Sequence, residues 1–120
     1  MSDGLRGFLH KALGIGADSR FAPTDEELAA ELAAGGVLLL DIRSSEEYEQ
    51  GHIPGALLVP PSQLDPESFG IEKDTPIVCY CASGTRSEYA RGVLEQAGFT
   101  NVRNFGGIGR WTGAIEKGGD

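Results

Sequence analysis

Apolar and polar positions along the chain fall into two kinds of pattern: continuous apolar runs of strand length, and stretches where apolar residues recur every three or four positions. The segment "PTDEELAAELAAGG" is of the second kind. Leu28 and Leu32 lie one helical turn apart, Thr24 and Glu27 have the spacing of a capping box, and Gly35 supplies the stop, so a helix is expected. "VLLLDI", residues 37–42, is an apolar run without alternation, the mark of a strand covered on both faces as in a parallel sheet. "SSEEYEQG" opens with a second capping box, Ser44 with Glu47, and Gly51 ends the helix it starts. Strand character returns at residues 56–59, before the proline-rich "PPSQLDPESFG". "TPIVCYC" is the strongest strand candidate, β-branched and apolar. In "RSEYARGVLEQAG" the residues Tyr89, Ala90, Val93, Leu94 and Ala97 share one helical face, and Gly98 marks the stop. "FTNVRNF" reads as the last strand and "WTGAIEKG" as a short final helix, while Phe21 and Ala22 suggest a short edge strand at the start.

Strand and helix signals thus alternate, and the strands are of the buried, parallel type. The expected class is α/β, a central parallel sheet with helices on both faces. In such sheets ligands bind beyond the carboxyl ends of strands, where the next helix begins. Two segments occupy that place, residues 41–44 after one strand and residues 81–87 after another.

Composition narrows the function classes. At 120 residues the chain is expected to hold one domain, residues 21–118, preceded by an N-terminal extension, residues 1–20. Leu5, Phe8, Leu9, Ala12 and Leu13 recur there at helical spacing, and a short amphipathic helix resting on the domain is expected. Arg6, His10, Lys11 and Asp18 interrupt its apolar runs, so neither a signal-peptide core nor a membrane span is expected. The net charge of −8 and pI near 4.7 argue against a general binder of nucleic acid or of a membrane surface. Two cysteines, one residue apart, form no disulfide framework and no zinc spacing. We therefore expect a cytoplasmic protein with reduced thiols and neither metal nor organic cofactor.

The chemistry is concentrated in "CYCASGTRSEYARG", residues 79–92. A helix N-terminus carries unpaired N–H groups and a partial positive charge. The small residues Ala82, Ser83, Gly84 and Thr85 allow successive amides to converge, with Gly84 best able to take a positive φ. Arg86 adds a cation, and Thr85 and Ser87 add hydroxyls. Cys81 lies where its sulfur would meet that cradle, and the field that binds an anion also lowers a thiol's pKa. Cys79, mid-strand among Ile77, Val78 and Tyr80, reads instead as a small buried hydrophobe. Nothing in the spacing of His10 or His52 places either beside a nucleophile, and His52 reads as a packing and hydrogen-bonding residue of a turn.

In combination, "LLLDIRSSEEYEQGHIPGA", "PIVCYCASGTRS", "RSEYARGVLEQAGF" and "VRNFGGIGRW" resemble, in order, the rhodanese family of sulfurtransferases over roughly residues 21–115. The resemblance implies the rhodanese fold, with Cys81 as the persulfide-forming nucleophile and Ala82, Ser83, Gly84, Thr85, Arg86 and Ser87 as the substrate-binding loop. It also implies supporting roles for Asp41 and Arg43, which match the family's D-x-R segment. Asp41 is expected to accept hydrogen bonds from the loop, Arg86 among the donors. Arg43 is expected to add positive potential or to pair with an acid of the following helix. Gly106 and Gly107 match the closing glycines, which permit close backbone approach, and Trp111 reads as a core anchor. Related phosphatases and arsenate reductases use a loop one residue longer, whereas four residues separate Cys81 from Arg86 here, a ring sized for one added sulfur. The implied partners are a small sulfur-containing anion or a persulfide as donor, and a thiol, cyanide or a sulfur-carrier protein as acceptor. A non-catalytic binding or redox-sensing module and a cysteine phosphatase stand as alternatives.

Overall fold

The computed structural model describes residues 22–119. Helix α1, Asp25–Ala34, leads into strand β1, Leu38–Asp41. Helix α2, Ser45–Gln50, precedes the two-residue strand β2, Leu57–Leu58. After two single 3₁₀ turns, Pro61–Gln63 and Pro66–Ser68, come strand β3, Ile77–Cys81, helix α3, Thr85–Gln96, and strand β4, Val102–Gly107. A last 3₁₀ turn, Ile108–Arg110, follows. The four strands form one parallel sheet in the order β2-β1-β3-β4. From β1 the chain winds outward to β2 on one side and to β3 and β4 on the other. The reversal between β1 and β3 is the crevice where ligands gather in open α/β sheets.

Both expected capping boxes form. Thr24 Oγ1 accepts the Glu27 amide at 3.0 Å, and Ser44 Oγ accepts the Glu47 amide at 3.2 Å. Each Glu side chain returns to its cap's amide at 2.9 Å. The central strands are covered on both faces, as their unbroken apolar runs require. Leu39, Val78, Tyr80 and Phe105 face Leu28 of α1 and Tyr48 of α2, while Leu40, Ile77, Cys79 and Cys81 face Ala90 and Leu94 of α3. No helix among the described residues is long and apolar enough to cross a membrane.

Several local expectations are corrected. Tyr89 is 58% exposed, on the outer side of α3, and Ser87 is buried instead, because the inner face of this helix starts at the sulfur site. The strand at residues 56–59 shrinks to two residues. Ala22 joins no strand, and Phe21 lies outside the described residues, as does the N-terminal amphipathic stretch. The final helix does not form. Trp111 Nε1 donates to the Ala114 carbonyl, and Glu116 forms an antiparallel bridge with His52, so tertiary pairing replaces a short helix of poor propensity. His52 is buried, stacked on Tyr48 at 3.6 Å, with Nδ1 2.8 Å from the Tyr48 carbonyl, the packing role expected of it. Trp111 meets Phe105 edge-on and is only partly buried.

Candidate active site

Helix α3 starts differently from α1 and α2. Its N-cap, Gly84, has φ of 101° and no side chain to accept the first-turn amides. The sulfur of Cys81 takes that place. Sγ accepts the Gly84 amide at 3.0 Å and the Ser87 amide at 3.4 Å, with Ser87 Oγ also 3.4 Å away. Ser87 is the third residue of the helix, so its amide is the one that Thr24 and Ser44 oxygens accept in the other two helices. A cap of this kind favours negative charge. Burial pushes the Cys81 thiol upward, but bonds from the Ser87 hydroxyl and from the amides of Ser87, Ser83 and Gly84 outweigh it, and the thiol lies below its ordinary value. Cys79, with no such donors, is driven up to about 12 by burial.

Cys81 has no exposed surface in this conformation. The loop residues Ala82, Ser83 and Thr85 beside it are exposed. The loop is held from behind by the closing glycines. A Cβ on Gly107 would stand 2.5 Å from the Ala82 carbonyl oxygen, and one on Gly84 would stand 3.3 Å from Gly106 Cα. The backbones meet at a distance that admits no side chain.

The charged residues are arranged otherwise than expected. Asp41 does not brace the loop, and Arg86 is not its donor. The Asp41 carboxylate accepts two bonds from Arg43, at 2.8 and 2.7 Å, and one from the Tyr80 hydroxyl at 2.6 Å. Arg43 also donates to the Gly51 carbonyl, and the Ile53 amide donates to the Tyr80 oxygen. This buried network ties the ends of β1 and β3 to residues 51–53. Arg43 therefore pairs with its own neighbour rather than with an acid of α2. Burial disfavours its charge, but the Asp41 hydrogen bond and charge prevail and hold its pKa above the ordinary value. Arg86 pairs with Glu47 of α2 through bonds of 2.9 and 3.0 Å. The Arg86 guanidinium lowers the Glu47 carboxyl to about 2. The loop's cation thus already has a carboxylate partner.

Two residues escaped the sequence reading. By sequence Glu47 reads only as a cap, and no motif marks Asn104 as part of the site. The Asn104 carboxamide reaches from β4 to Ser87, Gly84, Gly106 and Glu88. A polar residue inside "NVRNF", directly before the closing glycines, was the available signal. An open trough of about 470 Å³ is lined by Arg43, Glu47, Gly51, Ile108, Trp111 and Ile115 among others.

A strand ending in a cysteine whose sulfur caps the next helix, backed by a glycine pair, can be compared with known proteins. The rhodanese-like domain family model matches residues 24–114. The chain belongs to the rhodanese-like domain family. A sulfurtransferase of Allochromatium vinosum is 43% identical over 88 residues, covering 72% of this chain and 82% of that protein. The chain spans 63% and 43% of the length of two curated Bacillus subtilis relatives, an uncharacterized protein and a putative sulfur carrier protein, to which it is 39% and 37% identical over 65% of its own length. Among solved structures, a rhodanese from E. coli with anions superposes with a TM-score of 0.64 at 28% identity, covering 68% of this chain and 99% of that one. The described residues fold into a parallel sheet with helices on both faces, the rhodanese fold.

Proposed function

We propose that this rhodanese-like domain is a sulfurtransferase that carries sulfane sulfur as a persulfide on Cys81. The observation that carries the reading is the sulfur in the N-cap position of α3, where amides of the loop and first turn hold it below the ordinary thiol range. The thiolate attacks the outer sulfur of a donor. The donor's S–S bond breaks, its electron pair leaves with the departing group (sulfite from thiosulfate, a thiolate from a persulfide), and a new S–S bond forms on Cys81. The terminal sulfur's negative charge then meets the amide ring, with Ala82, Ser83, Gly84, Thr85 and Arg86 around it. An acceptor (a thiolate, cyanide or a sulfur-carrier protein) takes that sulfur and returns the Cys81 thiolate.

Asp41 and Arg43 support the site from below by locking the strand ends, not by touching substrate. With Arg86 already paired to Glu47, the loop presents little net positive charge to a small dianion. That favours persulfide donors over thiosulfate. The name of the Allochromatium relative supports sulfur transfer as the reaction class, and the amides that meet Sγ argue against a purely scaffolding role.

The test is intact-protein mass after treatment with thiosulfate and with low-molecular-weight persulfides. A gain of about 32 Da, one sulfur atom, is expected on the native protein and on Cys79→Ala, and none on Cys81→Ser. A native protein that gains no sulfur from any donor overturns the reading.

A further inference from the structure

Asn104 lies opposite Cys79 in the register of β3 with β4, and the next β3 residue, Tyr80, pairs with Gly106. Phe105 is therefore an extra residue, and the bulge it makes sits next to the site, where bulges commonly re-aim side chains. The Asn104 carboxamide is fully used. Oδ1 accepts the Gly106 amide at 2.9 Å and the Ser87 hydroxyl at 2.7 Å, and Nδ2 donates to the Gly84 carbonyl at 3.1 Å and to Glu88 Oε1 at 3.2 Å. One face meets a backbone donor and the other a backbone acceptor, so only one orientation of the amide satisfies both.

Ser87 and Gly84 both bond Cys81 Sγ, at 3.4 and 3.0 Å. Ser87 has one hydroxyl proton and three oxygen or sulfur neighbours: Asn104 Oδ1 at 2.7 Å, the Gly84 carbonyl at 3.1 Å and Sγ at 3.4 Å. With a neutral thiol, S–H donates to the Ser87 oxygen and the hydroxyl donates to Asn104. With a negatively charged sulfur, the hydroxyl turns to Sγ. That turn strands nothing, because Oδ1 keeps the Gly106 amide and the Gly84 carbonyl keeps Asn104 Nδ2 and the Glu88 amide.

We propose that Asn104 is a positioning residue for the chemistry at Cys81, holding Ser87 and Gly84 against the sulfur and offering the Ser87 hydroxyl a resting acceptor it can leave without loss. One hydroxyl thereby serves thiol, thiolate and persulfide. The inference rests on Cys81 being the nucleophile. Charged groups of the adjoining helices are matched, Arg86 of α3 by Glu47 of α2, and Glu88 by Arg91 within α3. Neutral dipoles are therefore what remains to tune it.

The experiment is the rate of Cys81 alkylation by iodoacetamide across pH, followed by intact mass, for the wild type, Asn104→Ala and Asn104→Asp. The aspartate keeps the acceptor for Ser87 and Gly106 but turns a carboxylate toward the Gly84 carbonyl and Glu88. Both variants are expected to move the alkylation midpoint to higher pH, to react about fivefold to tenfold more slowly at neutral pH, and to regain the wild-type rate above their midpoints. A wild-type midpoint in either folded variant, or a rate depressed equally at every pH, overturns the proposal. Should Asn104→Ala not fold, Asn104→Asp decides alone. A wild-type Cys81 that itself titrates like a free thiol would instead overturn the nucleophile reading.

Discussion

Arg86 of the loop and Glu47 of α2 meet through two parallel hydrogen bonds, 2.9 and 3.0 Å, across 39 residues of sequence. The pair anchors the outer side of the sulfur loop to the helix that follows β1. It also removes from the site the one cation that the loop itself contains.

Replacing Glu47 with Gln should therefore release the Arg86 charge. The KM for thiosulfate is expected to fall several-fold while that for a neutral persulfide donor changes little, as steady-state kinetics at low ionic strength would show. Equal changes for both donors would contradict the charge argument. The same pair predicts an acid-dependent step in stability. Glu47 is held at about 2, below its unfolded value of about 4.3, so its contribution is present above the unfolded value and is lost as pH falls toward 2. Both side chains are a third or more exposed, and screening should limit the step to about 1 kcal/mol or less. Urea midpoints of wild type and Glu47→Gln should converge over that window.

The two cysteines should separate cleanly by reactivity. At pH 8 in the folded protein one equivalent of iodoacetamide should react, at Cys81, because donors at its sulfur hold its thiol down while Cys79, which lacks them, is raised to about 12. Two equivalents should react in denaturant. Cys79→Ala should fold and keep persulfide formation, while Cys79→Ser, which buries a hydroxyl in the same apolar cluster, should be the less stable by about 1–2 kcal/mol in urea melts.

Gly107→Ala should be the most damaging change among the glycines behind the loop. Its Cβ would fall 2.5 Å from the Ala82 carbonyl oxygen, so one backbone must move. A loss of about 1–3 kcal/mol in thermal melts is expected, together with a loss of Cys81 alkylation at neutral pH as the amide ring opens. Unchanged alkylation would show that the glycine contact does not shape the site.

Asp41→Ala should destabilise the whole domain. It leaves the Arg43 guanidinium buried without its carboxylate and the Tyr80 hydroxyl without its acceptor. Breaking one side of such a pair typically costs about 3–5 kcal/mol. Tyr80→Phe, which strands the buried Ile53 amide, should cost about 1–3 kcal/mol. Chemical denaturation of the two variants would test the ranking.

Local order was legible in the sequence because its causes are local. Capping boxes, glycine stops and unbroken apolar runs involve residues a few positions apart, and they delimit α1, β1, α2, β3 and α3. The loop of Cys81 was readable for the same reason, since its amides, its glycine and its sulfur lie within seven consecutive residues. The final helix failed because so short a helix has too few internal bonds to compete with the bridge from Glu116 to His52. What only the tertiary structure decided was the pairing of charges and polar groups. Asp41 chose Arg43 and Tyr80, Arg86 chose Glu47, and Asn104 reached Ser87 and Gly84. Side chains of this kind can reach several partners, and sheet register, a bulge in β4 and the crossing of α2 over the strand ends select one for each. The sequence by itself determined that a cysteine sulfur would stand at the start of a helix, and the packing of distant segments decided which groups hold it.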